Sequence, residues 1–167
     1  MTGPKWREQY DRMLRWRARL SEPMNPGETH EAYTTRIEDY LHAFFVTCCH
    51  LHDWLEKDPT AASVHGQAKS HANEATWLSK CYGIALGSKH VTIDRPGPRK
   101  GSSPKITAAT ILRSEPLWGV PSPHGTWTFK DSHLEIEIDG QVHLAIPVAD
   151  ECIREWDGFL RTAGLLP

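Results

Sequence analysis

Between Gly87 and Ile106 the apolar pattern of this chain changes period, and that change limits what it can fold into. Before it, apolar residues recur at helical intervals; after it, they alternate with polar ones. Helices and strands are therefore segregated along the chain. The pattern predicts an α+β fold with a bundle of three N-terminal helices, a small antiparallel β-meander and a closing C-terminal helix.

The boundaries follow from local chemistry. A first helix over about 4–20 carries Trp6, Tyr10, Met13, Leu14 and Arg17 at helical spacing, with Pro4 in its first turn. SEPMNPG breaks it. A long second helix over about 28–57 stops before Asp58-Pro59, because a residue preceding proline is pushed out of the helical region. Residues 60–70 connect to a third helix over about 71–86, which exits near Gly87. The segment VTIDRPGPRKGSSPK (91–105) reads as a loop between a helical region, 1–90, and a sheet region, 106–167, within one compact unit. Strands are expected at 106–113, 125–131, 134–139 and 141–146, and a last helix at about 148–163. Asp139-Gly140 between two alternating runs signals a two-residue hairpin.

With 39% hydrophobic and 24% charged residues, the 167-residue chain has enough apolar material for a core and reads as globular. Its formal charge of −2 gives no global basic field. No apolar run long enough to span a bilayer and no apolar leader stretch occur in the sequence, so a cytoplasmic protein without membrane association is expected. Its four cysteines, Cys48, Cys49, Cys81 and Cys152, then read as reduced thiols.

The stretch FFVTCCHLHDW (44–54) carries the densest chemistry. Unrolled as a helix, Ile37, Leu41, Phe44, Cys48, Leu51 and Leu55 form a core stripe. His42, Cys49 and Asp53 lie on another line, and His50 and Trp54 on a third. In the next helix, Leu78, Cys81, Tyr82, Ala85 and Lys89 share a face. Cys49, His50, Asp53 and Cys81 are ligand types, but the paired spacings of structural zinc sites are missing, so no metal or other cofactor is expected. Cys49 has poor geometry toward either His50 or His42 for a Cys/His nucleophile. The remaining candidate is metal-free acid–base chemistry. His50 would be the base, Asp53 its orienting carboxylate at i, i+3, and Lys89 with His90 the phosphate-side cations. Such a set suits RNA cleavage. Arg95, Arg99 and Lys100 in the loop are candidate nucleic-acid contacts, as are the arginines of the first helix. The plainer alternative is a solvated helix face and histidines held at an interface. No P-loop, GxGxxG, HExxH or GxSxG motif occurs.

DYLHAFFVTCCHLHDWLEKDP and CYGIALGSKHVTI resemble an uncharacterised family of bacterial and phage proteins. The matching positions are Phe44, Phe45, Cys48, His50, Leu51, Asp53 and Trp54, then Cys81, Gly87, Ser88, Lys89 and His90. Over about residues 30–95 the helical organisation is similar to HEPN domains. That resemblance implies a helical bundle working as a dimer, and RNA as substrate or ligand in a defence or toxin–antitoxin setting. Active HEPN nucleases carry Arg-x4–6-His, which Arg36 and His42 fit, but chance alone supplies such spacings here. The resemblance therefore leaves open both a metal-independent ribonuclease and a non-catalytic interaction protein. In the second case Trp6, Trp16 or Trp118 would anchor a partner.

Overall fold

The structure, a computed structural model, describes residues 3–87, 109–113, 134–138 and 141–167. Among the described residues, five helices and three strands follow in the order α1 (Lys5–Arg19), α2 (His30–Lys57), α3 (Ala68–Glu74), α4 (Thr76–Gly87), β1 (Ala109–Arg113), β2 (Leu134–Ile138), β3 (Gln141–Leu144) and α5 (Ala145–Thr162). A 3-10 segment, Pro59–Val64, links α2 to α3. The α+β architecture is as the apolar periods predict. The strand expected at 125–131 lies outside the described residues, as does Trp118.

Local chemistry explains the ends of α2. Thr29 accepts a hydrogen bond from Ala32 N at its start. At its end Asp58 is extended, as the following proline requires, and its carboxylate accepts from Thr60 N and Thr60 Oγ1. The same carboxylate accepts from Trp6 N at 3.0 Å, which ties the start of α1 to the end of α2. Gln9 Nε2 donates to Thr47 O, and Trp16 packs on Tyr40, so α1 runs antiparallel to α2. Tyr10 Oη donates to Asp157 Oδ1 at 2.6 Å and Arg17 holds Asp150, which places α5 antiparallel to α1. Burial, then the Asp157 bond, push the Tyr10 hydroxyl well above the ordinary phenol range.

The expected core stripe of α2 is buried throughout: Ile37, Leu41, Phe44, Cys48, Leu51 and Leu55. It meets Leu78, Cys81 and Ile84 of α4 and Val148, Cys152, Trp156 and Leu160 of α5 in one core. Leu134, Ile136 and Ile138 join the same core, so the alternation of LEIEI turns its apolar face onto the helices. The three strands pair antiparallel in the order β1-β2-β3. Ile138 opposes Gln141, which leaves two residues for the connection, the length that the Asp-Gly signal predicts. Among the described residues no helix is long and apolar enough to cross a membrane.

Three expectations need correction. The single helix expected at about 71–86 is two, α3 and α4, broken at an extended Ala75. The cause is not local: Glu155 of α5 accepts from Trp77 N and Leu78 N at 2.9–3.1 Å and so caps a new helix start. The closing helix begins at Ala145, ahead of Pro147, which the first helical turn tolerates. Trp6 is buried in the core and Trp16 is half-buried on Tyr40, so neither is an exposed anchor for a partner.

Candidate functional site

His50 and Asp53 both lie in the last two turns of α2. Asp53 is exposed, and its Oδ1 lies 3.3 Å from Nε2 of buried His52, whose Nδ1 donates to Cys49 O. His52, unremarked in the sequence reading, is thus the imidazole placed beside this carboxylate. His50 is half-buried one residue row away. Lys89, His90, Arg95, Arg99 and Lys100 lie outside the described residues.

The packing of α4 decides an ambiguity the sequence leaves open. Cys81 Sγ donates to Phe45 O, while Ala72 and Asn73, earlier in the chain, line a small cavity with Cys49 and His52. Ala72 and Asn73 belong to α3; the direction of α4 follows from α5, whose Glu155 meets Trp77 and whose Cys152 meets Cys81. So α4 opposes α5, α5 and α2 both oppose α1, and α4 and α2 are antiparallel. At ~1.5 Å per residue, Gly87 lies roughly 9 Å beyond Cys81, and Asp53 roughly 7 Å beyond Cys48 in the opposite direction.

Asp53 opens instead onto a cleft of about 780 Å³. The end of α2 supplies Asp53, Trp54, Lys57 and Asp58; the start of α1 supplies Gly3, Pro4 and Lys5; Pro59 and Thr60 complete the wall. The Trp6–Asp58 hydrogen bond is what brings these two helix ends together. Asp58 is engaged by its bonds, so the other charges lining the cleft are Lys5, Lys57 and Asp53, the last beside His52. Arg12 lies over the Trp54 ring at 5.9 Å. The cleft thus offers an aromatic surface, two ammonium groups, a carboxylate and the amino end of α1.

Most other candidate cations serve the fold. Arg7 pairs with Asp11, Arg17 with Asp150, and Arg19 sits over Trp16 and Tyr40. Arg36 is held by Glu28, Glu22 and the Pro23 carbonyl, clamping the α1–α2 turn. The bonds from Arg36 and Asn25 hold the Glu28 carboxyl down, at about 2. Arg36 is therefore engaged in bonds that hold the fold.

The structure also gathers what the sequence reading kept apart. Cys48 of α2, Cys81 of α4 and Cys152 of α5 converge, their sulfurs all within 4.8 Å of one another. Among the described residues this is the one group of His, Cys, Asp or Glu side chains close enough to hold a metal ion. Of the ligand types singled out in the sequence, Cys81 belongs to it, and Cys49, His50 and Asp53 do not. The missed signal was modest: each of the three cysteines sits on the inward stripe of its own helix.

Comparison with protein-family models, with curated proteins and with solved structures finds no match.

Proposed function

We propose that the chain binds a nucleotide or single-stranded RNA in the cleft between the start of α1 and the end of α2. One observation carries the reading: Trp54, Lys5 and Lys57 line a single ligand-sized cleft. An aromatic face beside cationic groups is the chemistry that single-stranded nucleic acid requires, because bases stack and phosphates need neutralising. Asp53 supplies an acceptor for a ribose hydroxyl or an exocyclic amine. The RNA-directed role that the HEPN-like resemblance implies agrees with this. Of the expected catalytic set only Asp53 lines this cleft, so cleavage by His50, Asp53, Lys89 and His90 is a catalytic extension separate from it.

The test is fluorescence anisotropy with a labelled short RNA and a labelled nucleotide, over a series of salt concentrations. Base stacking is worth about 1–3 kcal/mol, so Trp54→Ala should weaken binding roughly 5- to 150-fold. Lys57→Ala should weaken it across sequences and lower the salt slope by about 1. Absence of saturable binding at low salt, or unchanged binding by Trp54→Ala, would remove the proposal. Incubation of the same RNA without metal, with His50→Ala and Lys89→Ala beside the wild type, tests the catalytic extension. Cleavage lost in both variants supports it, and no cleavage by any of them leaves a binding protein.

A further inference from the structure

The geometry points to a buried trithiolate site in which Cys48, Cys81 and Cys152 hold one thiophilic metal ion, Zn²⁺ or Cu⁺, and so clamp α2, α4 and α5 together. The three sulfurs come from three different helices and are fully buried. Around an ion at a metal–sulfur distance of ~2.3 Å, three sulfurs sit about 3.8–4.0 Å apart. The observed limit of 4.8 Å thus requires closure by about 1 Å at most.

A second observation comes from the indole beside the sulfurs. Trp156 Nε1 is buried with no hydrogen-bond partner of good geometry, and the sulfur it approaches is Cys48. An orphaned buried N–H is costly. A metal-bound thiolate is the acceptor it lacks, and such donors tune metal–thiolate centres. Beside it, a cavity of about 10 Å³ is lined by Cys48, Cys81 and Trp156 among others, on the order of one water-sized sphere. Buried sulfur donors select soft or borderline ions over Mg²⁺ and Ca²⁺.

Protonated, the cluster is already satisfied in part: Cys81 donates to Phe45 O at 3.4 Å and Cys152 to Trp77 O at 3.6 Å. Burial pushes the Cys81 and Cys152 thiols up. On metal binding the sulfurs coordinate as thiolates and their protons pass to the buffer, so affinity rises with pH.

The experiment uses the full chain, expressed with and without added zinc and purified under reducing conditions. Metal analysis should find one ion per chain. Wild type should lose roughly 5–10 °C in Tm on chelation and regain it on addition of Zn²⁺, or of Cu⁺ under anaerobic reductant if copper is the resident ion. Co²⁺ in place of zinc should give thiolate-to-metal charge-transfer absorption. Cys49→Ser should keep the ion, whereas Cys81→Ser and Cys152→Ser should lose it. The chelation arm needs no variant, so it decides the matter even if those substitutions impair folding. Wild type with no bound metal, and a Tm indifferent to chelator, Zn²⁺ and Cu⁺, would overturn the site. So would metal loss in Cys49→Ser equal to that in Cys81→Ser.

Discussion

Asp58 shows how much one side chain can organise. It ends α2, initiates the 3-10 segment through Thr60, and receives the main-chain N–H of Trp6. Burial pushes its carboxyl up, but hydrogen bonds from Thr60, Trp6 and Lys5 outweigh that and hold it below the usual carboxylate range. Because the folded state binds this proton less readily than the unfolded state, Asp58 contributes stability above about pH 4. That contribution is lost as pH falls through the depressed folded value. Urea midpoints measured from neutral pH down to about pH 3 should therefore decline more steeply for wild type than for Asp58→Asn. Parallel curves would deny Asp58 this role. At this scale the sequence was informative: Asp58-Pro59 marked the helix end. The bond to Trp6 was not legible, because its partners are 52 residues apart.

Among the elements, α2 was the most legible and α4 the least. The stripe from Ile37 to Leu55 is periodic, and periodicity survives any tertiary arrangement. The break at Ala75 has no glycine or proline to announce it; the stretch HANEATWLS reads as continuous helix. What breaks it is Glu155, 78 residues from Trp77. Glu155→Gln should keep the geometry but weaken the cap. Glu155→Ala should cost about 1–3 kcal/mol, in the range of a lost cap that leaves buried donors unpaired. Chemical denaturation checks the total, and hydrogen exchange should localise the loss to Trp77 and Leu78. Exchange unchanged there would mean that α4 starts for another reason. Packing direction was hidden for a similar reason: it depends on the route of Pro59–Val64 and α3, and the contacts of Trp77 with Glu155 and of Cys81 with Cys152 settle it.

The whole molecule joins a helical bundle and a sheet in one core. Leu51, fully buried at its centre, should cost about 2–5 kcal/mol when changed to alanine, read as a lower urea midpoint with an unchanged slope. A cost under about 1 kcal/mol would mean that the core repacks around the gap. The sequence showed the fold class because the period of the apolar pattern changes once. It did not show the cleft, whose walls come from residues 3–5 and 53–60, or the thiol cluster, which needs three helices in register.

Occupation of the Trp54 cleft by a nucleotide or single-stranded RNA, as proposed, is reported directly by the indole N–H resonances of the tryptophans. Titration with a short RNA, followed by nitrogen–proton correlation spectroscopy, should shift the Trp54 indole signal in a saturable way. The signal of fully buried Trp156 should stay in place. A Trp54 signal that stays fixed while RNA is added to excess would contradict the account.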